Sequence, residues 1–88
     1  MLIQYEARFE KDLKKIQNIK LFKRIKECIS LIKQADNLFE IPHSKKLKGH
    51  VSFYRIKLGD YRIGFEFLND NVILTRILHR KDIYRYFP

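Results

Sequence analysis

Eighty-eight residues make one domain with a single modest core, since a chain of this size buries only about 60–65% of its unfolded surface. The 45% hydrophobic content is globular, no run approaches the roughly 18 apolar residues of a membrane span, and the opening Met1-Leu2-Ile3-Gln4-Tyr5-Glu6 lacks the basic-then-apolar shape of a signal peptide. A net charge of +9 and one cysteine point to a cytoplasmic protein with an anionic partner, either nucleic acid or an acidic protein, and no membrane partner.

Residues 2 to 6 predict a short strand. Residues 8 to 17 predict a helix, because Phe9, Leu13 and Ile16 recur at spacings of four and three. Asn18 ends that stripe. A longer helix follows over 20 to 36, with Leu21, Ile25, Cys28, Ile29, Ile32 and Ala35 on one side, so Cys28 reads as core. The short connection implies an antiparallel helix hairpin. Residues 8 to 37 carry nine basic and four acidic side chains, a net of +5. Most lie on the polar sides of the helices, where solvated lysine is ordinary.

Residues 37 to 52 show no clear period and are punctuated by Pro42 and Gly49. The run Ser44-Lys45-Lys46-Leu47-Lys48-Gly49-His50 reads as a basic loop. It opens the densest charge of the chain: residues 43 to 62 hold Lys45, Lys46, Lys48, Arg55, Lys57 and Arg62 against Asp60 alone, a net of +5.

Residues 53 to 67 predict a β-hairpin turning at Gly59-Asp60, a two-residue turn signal between alternating runs. Counting back pairs Leu58 with Tyr61, Lys57 with Arg62, Ile56 with Ile63, Arg55 with Gly64 and Tyr54 with Phe65. One face then carries Tyr54, Ile56, Leu58, Tyr61, Ile63, Phe65 and Phe67, a core face. The other carries Phe53, Arg55, Lys57, Arg62, Gly64 and Glu66. Like charges opposite one another cost roughly 0.2–1 kcal/mol. An anion among Arg55, Lys57 and Arg62 would relieve that repulsion, and Gly64 leaves room for it.

Asn69-Asp70-Asn71 is a turn, and residues 72 to 78 are a nearly continuous apolar strand suited to a sheet centre. A two-residue and a three-residue turn put opposite sets of residues on the core; Arg76 is awkward there, which favours the longer turn. Residues 79 to 88 are too short for an independent helix and predict a helical turn or a tail docked on the sheet. The order strand, helix, helix, three-strand antiparallel meander, tail is that of an α+β domain with the helices on one sheet face and the basic face free.

The motifs of nucleotide, redox and zinc sites are absent, and His43, His50 and His79 lack metal-ligand spacing. No metal or cofactor is implied.

This element order, with Lys46-Leu47-Lys48-Gly49, Tyr54-Arg55-Ile56-Lys57-Leu58, Tyr61-Arg62-Ile63 and the ending His79-Arg80-Lys81-Asp82-Ile83-Tyr84-Arg85, resembles the RelE/ParE toxin superfamily of type II toxin–antitoxin systems over essentially the whole chain. RelE-like members cut mRNA in the ribosomal A site; ParE-like members poison gyrase without cleavage. The RelE-like pattern implies a catalytic set of Arg55, Lys57, Arg62, Arg80 or Lys81, and Tyr84. It makes the expected activity that of a ribosome-dependent, metal-independent endoribonuclease, and the expected partners a cognate antitoxin, the ribosome and its mRNA. The alternative is a ParE-like gyrase inhibitor.

Metal-free cleavage needs a base for the 2′-hydroxyl, positive charge for the phosphorane and an acid for the leaving 5′-oxygen. The resemblance gives these roles to Lys57, to Arg55 with Arg62, and to Arg80 or Lys81. Tyr84 would stack on a base. Lys45, Lys46 and Lys48 would hold RNA phosphates. Arg55 departs from the lysine usual in the best-known member, which shifts the base role to Lys57, and His79 is a further candidate for proton transfer.

Overall fold

The computed structural model describes all residues from 1 to 88. Its elements run β1 (Leu2–Tyr5), α1 (Ala7–Lys14), α2 (Ile19–Gln34), a 3₁₀ turn (Leu38–Glu40), β2 (Ser44–Lys46), β3 (Phe53–Leu58), β4 (Tyr61–Leu68), β5 (Asn71–His79) and α3 (Ile83–Tyr86). The five strands form one sheet in the order β1-β5-β4-β3-β2, with β1 parallel to β5 and the other pairs antiparallel. The predicted α+β architecture holds, with one strand added: Ser44–Lys46 lies along β3, where the sequence suggested only a loop.

The helices bury the stripes expected of them. Asn18 starts α2 by accepting a hydrogen bond from the Leu21 amide at 3.0 Å, the usual task of an N-cap asparagine. Phe9 of α1, Ile16 just beyond its end and Leu21, Ile25, Cys28 and Ile32 of α2 share one core with Ile56, Leu58, Ile63, Phe65, Val72, Leu74 and Ile77 of the sheet. Both helices therefore cover the face assigned to the core.

The β3–β4 hairpin has the predicted register at every pair from Leu58↔Tyr61 to Tyr54↔Phe65. The β4–β5 connection corrects an expectation. Leu68 pairs with Asn71, so the turn is the two-residue one, with Asn69 and Asp70 both at positive φ. On that register alone Arg76 would face the core. A bulge between the Phe65↔Leu74 and Gly64↔Arg76 pairs absorbs Thr75 as an extra residue and reverses the alternation, as bulges do. Beyond it the strand has the register of the longer turn, and Arg76 stands opposite Gly64.

β1 spans only Leu2–Tyr5, so β5 outruns it and the edge beyond Leu74 needs another partner. Helix α1 supplies one. The buried Asp12 carboxylate accepts the Ile77 amide at 3.1 Å and two bonds from the Arg76 guanidinium at 2.8 and 3.1 Å. The bond to Asp12 and its charge outweigh partial burial and raise the Arg76 pKa.

The basic face is not wholly free, which is a second correction. Ile83 and Phe87 at the C-terminus are buried, and the Phe87 ring packs edge-on against Phe53 at 5.7 Å. A Cβ on Gly64 would lie 2.7 Å from that ring. The gap expected to admit an anion at Gly64 is filled by Phe87. No helix is long and apolar enough to cross a membrane.

Candidate active site

The candidate residues fall into two neighbouring groups on the basic face. The first surrounds a groove of about 700 Å³ lined by Lys45, Lys46, Lys48, His50, Arg55 and Tyr84, among others. β2 and the turn after it place the lysines. The Leu47 amide donates to the Phe53 carbonyl and the His50 amide to the Leu47 carbonyl, and Gly49 takes φ +81°, a conformation open to glycine at no steric cost. This turn folds the basic run back against the start of β3. Tyr84 is presented by α3, which its buried neighbours Ile83 and Phe87 hold against the sheet; Tyr84 itself is 63% exposed. Arg55 is half-buried, and its guanidinium lies 3.4 Å from the His43 carbonyl.

The second group sits at the hairpin turn. Arg62 donates to the carbonyls of Gly59 and Tyr61 at 2.7 and 2.8 Å. Arg80 donates its backbone amide to the Asp60 carbonyl at 2.7 Å, and its side chain reaches within 3.9 Å of the Asp60 carboxylate. Two arginines are thus anchored on consecutive residues of one turn. Lys57 is exposed, directly opposite Arg62 and two residues from Arg55. It also borders a smaller cavity with Arg24, Cys28 and His43.

Two expected positions fall elsewhere. His79 pairs with Tyr61, not with the Arg62 side of the sheet. Its ring meets Tyr61 at 5.6 Å, its Nδ1 accepts the Lys81 amide at 3.1 Å, and it lines a separate cavity of about 450 Å³ with Asp12, Lys15, Asp82 and Tyr86. Lys81 is solvent-exposed beside it. Conversely, His50 lies in the groove with Arg55 and Tyr84, although its sequence pattern assigned it no role. Its only sequence signal is its place directly after the basic run.

The arrangement offers cations for a phosphate, an exposed phenol ring for a base and one imidazole. Three comparisons place the chain as a whole. The family model described as "ParE toxin of type II toxin-antitoxin system, parDE" matches residues 3–84. Toxin RelE3 of Methanocaldococcus jannaschii is 42% identical over 89 residues, covering 100% of each chain. Among solved structures, a chain of the RelB–RelE antitoxin–toxin complex from Methanococcus jannaschii superposes with a TM-score of 0.83 at 41% identity, covering 97% of this chain and 99% of that one. The archaeal RelE–RelB complex from Pyrococcus horikoshii OT3 shares the fold at a TM-score of 0.73 and 19% identity, covering 93% and 97%. With a family model spanning nearly the whole chain and a full-length relative at this identity, the chain belongs to the RelE/ParE toxin superfamily of type II toxin–antitoxin systems.

Proposed function

We propose that this toxin is a RelE-like endoribonuclease that cuts mRNA in the ribosomal A site, acts in the cytoplasm, and is held inactive by a cognate antitoxin. One observation carries the reading: the Lys45–Lys48 run, Arg55 and the exposed Tyr84 line a single groove beside Lys57 and Arg62. Phosphate-binding cations next to a stacking ring are what a single RNA strand requires. A relative at 41% identity occurs in a complex named for its RelB antitoxin, and the basic surface of this chain suits an acidic or amphipathic counterpart.

In this reading the 2′-hydroxyl attacks the adjacent phosphate. Arg55 and Arg62 stabilise the phosphorane, Lys57 accepts the 2′ proton, Arg80 or Lys81 shields the leaving oxygen, and Tyr84 stacks on a neighbouring base. Arg62 enters with its guanidinium already fixed over the turn, which lowers the reorganisation needed at the moment of reaction. His79, against Tyr61, acts only if RNA also reaches that end of the sheet.

The test maps mRNA 5′ ends on translating ribosomes with wild-type protein and with the double variant Lys57→Ala, Arg62→Ala. Cuts at a fixed A-site offset, reduced at least 100-fold in the variant, support the nuclease and its site. The family description itself favours a second reading, a ParE-like gyrase inhibitor. In that case ribosomes show no cuts, supercoiling by gyrase is blocked, and charge reversal at Arg62 leaves most of the toxicity.

A further inference from the structure

The proposed reaction lacks a good proton donor for its leaving group. A 5′-alkoxide is strongly basic and leaves poorly unless protonated. A guanidinium does not give up its proton in proteins, Arg80 sits at the hairpin turn beside Asp60, and Lys81 lies exposed beside His79 and does not line the groove. Imidazole is the side chain type that exchanges a proton readily near neutral pH.

His50 is positioned for that role. It is exposed and lines the same groove as Arg55 and Tyr84. Its ring stands edge-on to Phe53 at 5.8 Å, and Phe53 in turn stands edge-on to Phe87 at 5.7 Å. The packing that anchors the Tyr84 segment therefore also orients His50. Along β3, Phe53, Arg55 and Lys57 share one face at steps of about 7 Å. His50, against Phe53, lies on one side of Arg55, and Lys57 lies on the other. An in-line displacement at a phosphate held by Arg55 needs its base and its acid on opposite sides of phosphorus, and Lys57 and His50 are the two proton-transfer side chains that flank Arg55 along this face.

Building on the nuclease reading, we propose that His50 is the general acid that protonates the leaving 5′-oxygen. The 2′-O–H bond breaks and its proton passes to Lys57. The freed oxygen pair forms the new P–O2′ bond. The P–O5′ bond breaks, its electron pair stays on O5′, and that oxygen takes the ring proton of the His50 imidazolium. The products are a 2′,3′-cyclic phosphate and a 5′-hydroxyl, and both side chains reset by proton exchange with water.

A bridging 5′-sulfur tests this, because a thiolate leaves without protonation. Ribosomes are programmed with a short mRNA whose single cleavable linkage carries 5′-oxygen or 5′-sulfur. Wild type, His50→Gln and Lys57→Ala are then compared in single-turnover cleavage. His50→Gln should slow oxygen cleavage about 100-fold or more and return to within a few-fold of wild type on sulfur, while Lys57→Ala stays slow on both. An unchanged melting temperature for His50→Gln shows that the exposed substitution leaves the fold intact. Wild-type speed on oxygen, or a defect that persists on sulfur, overturns the role of His50 and leaves the nuclease standing. No cleavage of either linkage by wild type overturns the nuclease reading and this proposal with it.

Discussion

Asp12 is the residue on which the fold depends in a way its chemistry does not advertise. Among the apolar positions of α1 it looks like one more solvated carboxylate, yet it is 4% exposed. It fills the place of the missing strand at the β5 edge by accepting the Ile77 amide, and it holds Arg76 at two points. Removing one partner of such a pair strands the other and typically costs about 3–5 kcal/mol. Asp12→Ala should therefore lower the thermal midpoint by well over 10 °C, at about 4–8 °C per kcal/mol for a domain of this size. Arg76→Met should cost less, because the carboxylate keeps the Ile77 amide and a thioether chain can occupy the guanidinium's path. Calorimetry of the two variants checks the order.

At the scale of elements, the tail and the hairpin are coupled through one ring. Phe87 packs over Gly64 and against Phe53, and Ile83 is fully buried beside it. Truncating a buried phenylalanine costs about 3–5 kcal/mol. Here much of that loss should appear as release of α3. Phe87→Ala should speed amide exchange across Ile83–Tyr86 and, under the proposed nuclease function, reduce cleavage at least tenfold, because Tyr84 loses its fixed position. Gly64→Ala should act the same way by displacing the ring. Hydrogen exchange read by mass spectrometry checks both. The hairpin was legible in the sequence to the last pair because its turn and its alternation are local. The order of the helices and their apolar stripes were legible for the same reason. β2 was not, since Ser44-Lys45-Lys46 has no alternation and pairs only because β3 already stands there. The bulge at Thr75 was hidden too, although Arg76 signalled that the strand must change phase. In the candidate site, Arg55, Lys57, Arg62 and Tyr84 were proposed from pattern and resemblance. The presence of His50 in the groove, the separation of His79 and the filling of the Gly64 gap depend on contacts distant in sequence.

For the whole molecule, charge and core meet at Cys28. Burial raises its thiol from an ordinary 9.0 to about 11. A raised acid is neutral in the fold, so its contribution is complete below about pH 9 and is lost as pH climbs toward 11. The full loss is about 3 kcal/mol, because each tenfold change in proton affinity between the folded and unfolded chain is worth about 1.4 kcal/mol. The melting temperature of wild type should fall more steeply over that window than that of Cys28→Ala, which lacks the titrating group. Parallel thermal melts from pH 7 to 11 measure the difference.

The pairing of β1 with β5 sets an order of events in time. Leu2 is partnered by Asn71, so the first strand to be synthesised waits through two helices and three other strands for its neighbour. The β3–β4 hairpin closes over a two-residue turn and needs no such wait. A nascent chain can thus present its basic hairpin early, while the sheet that steadies it is still open at β1. The interval between those two events is one in which the hairpin's cations are exposed on an unfinished sheet.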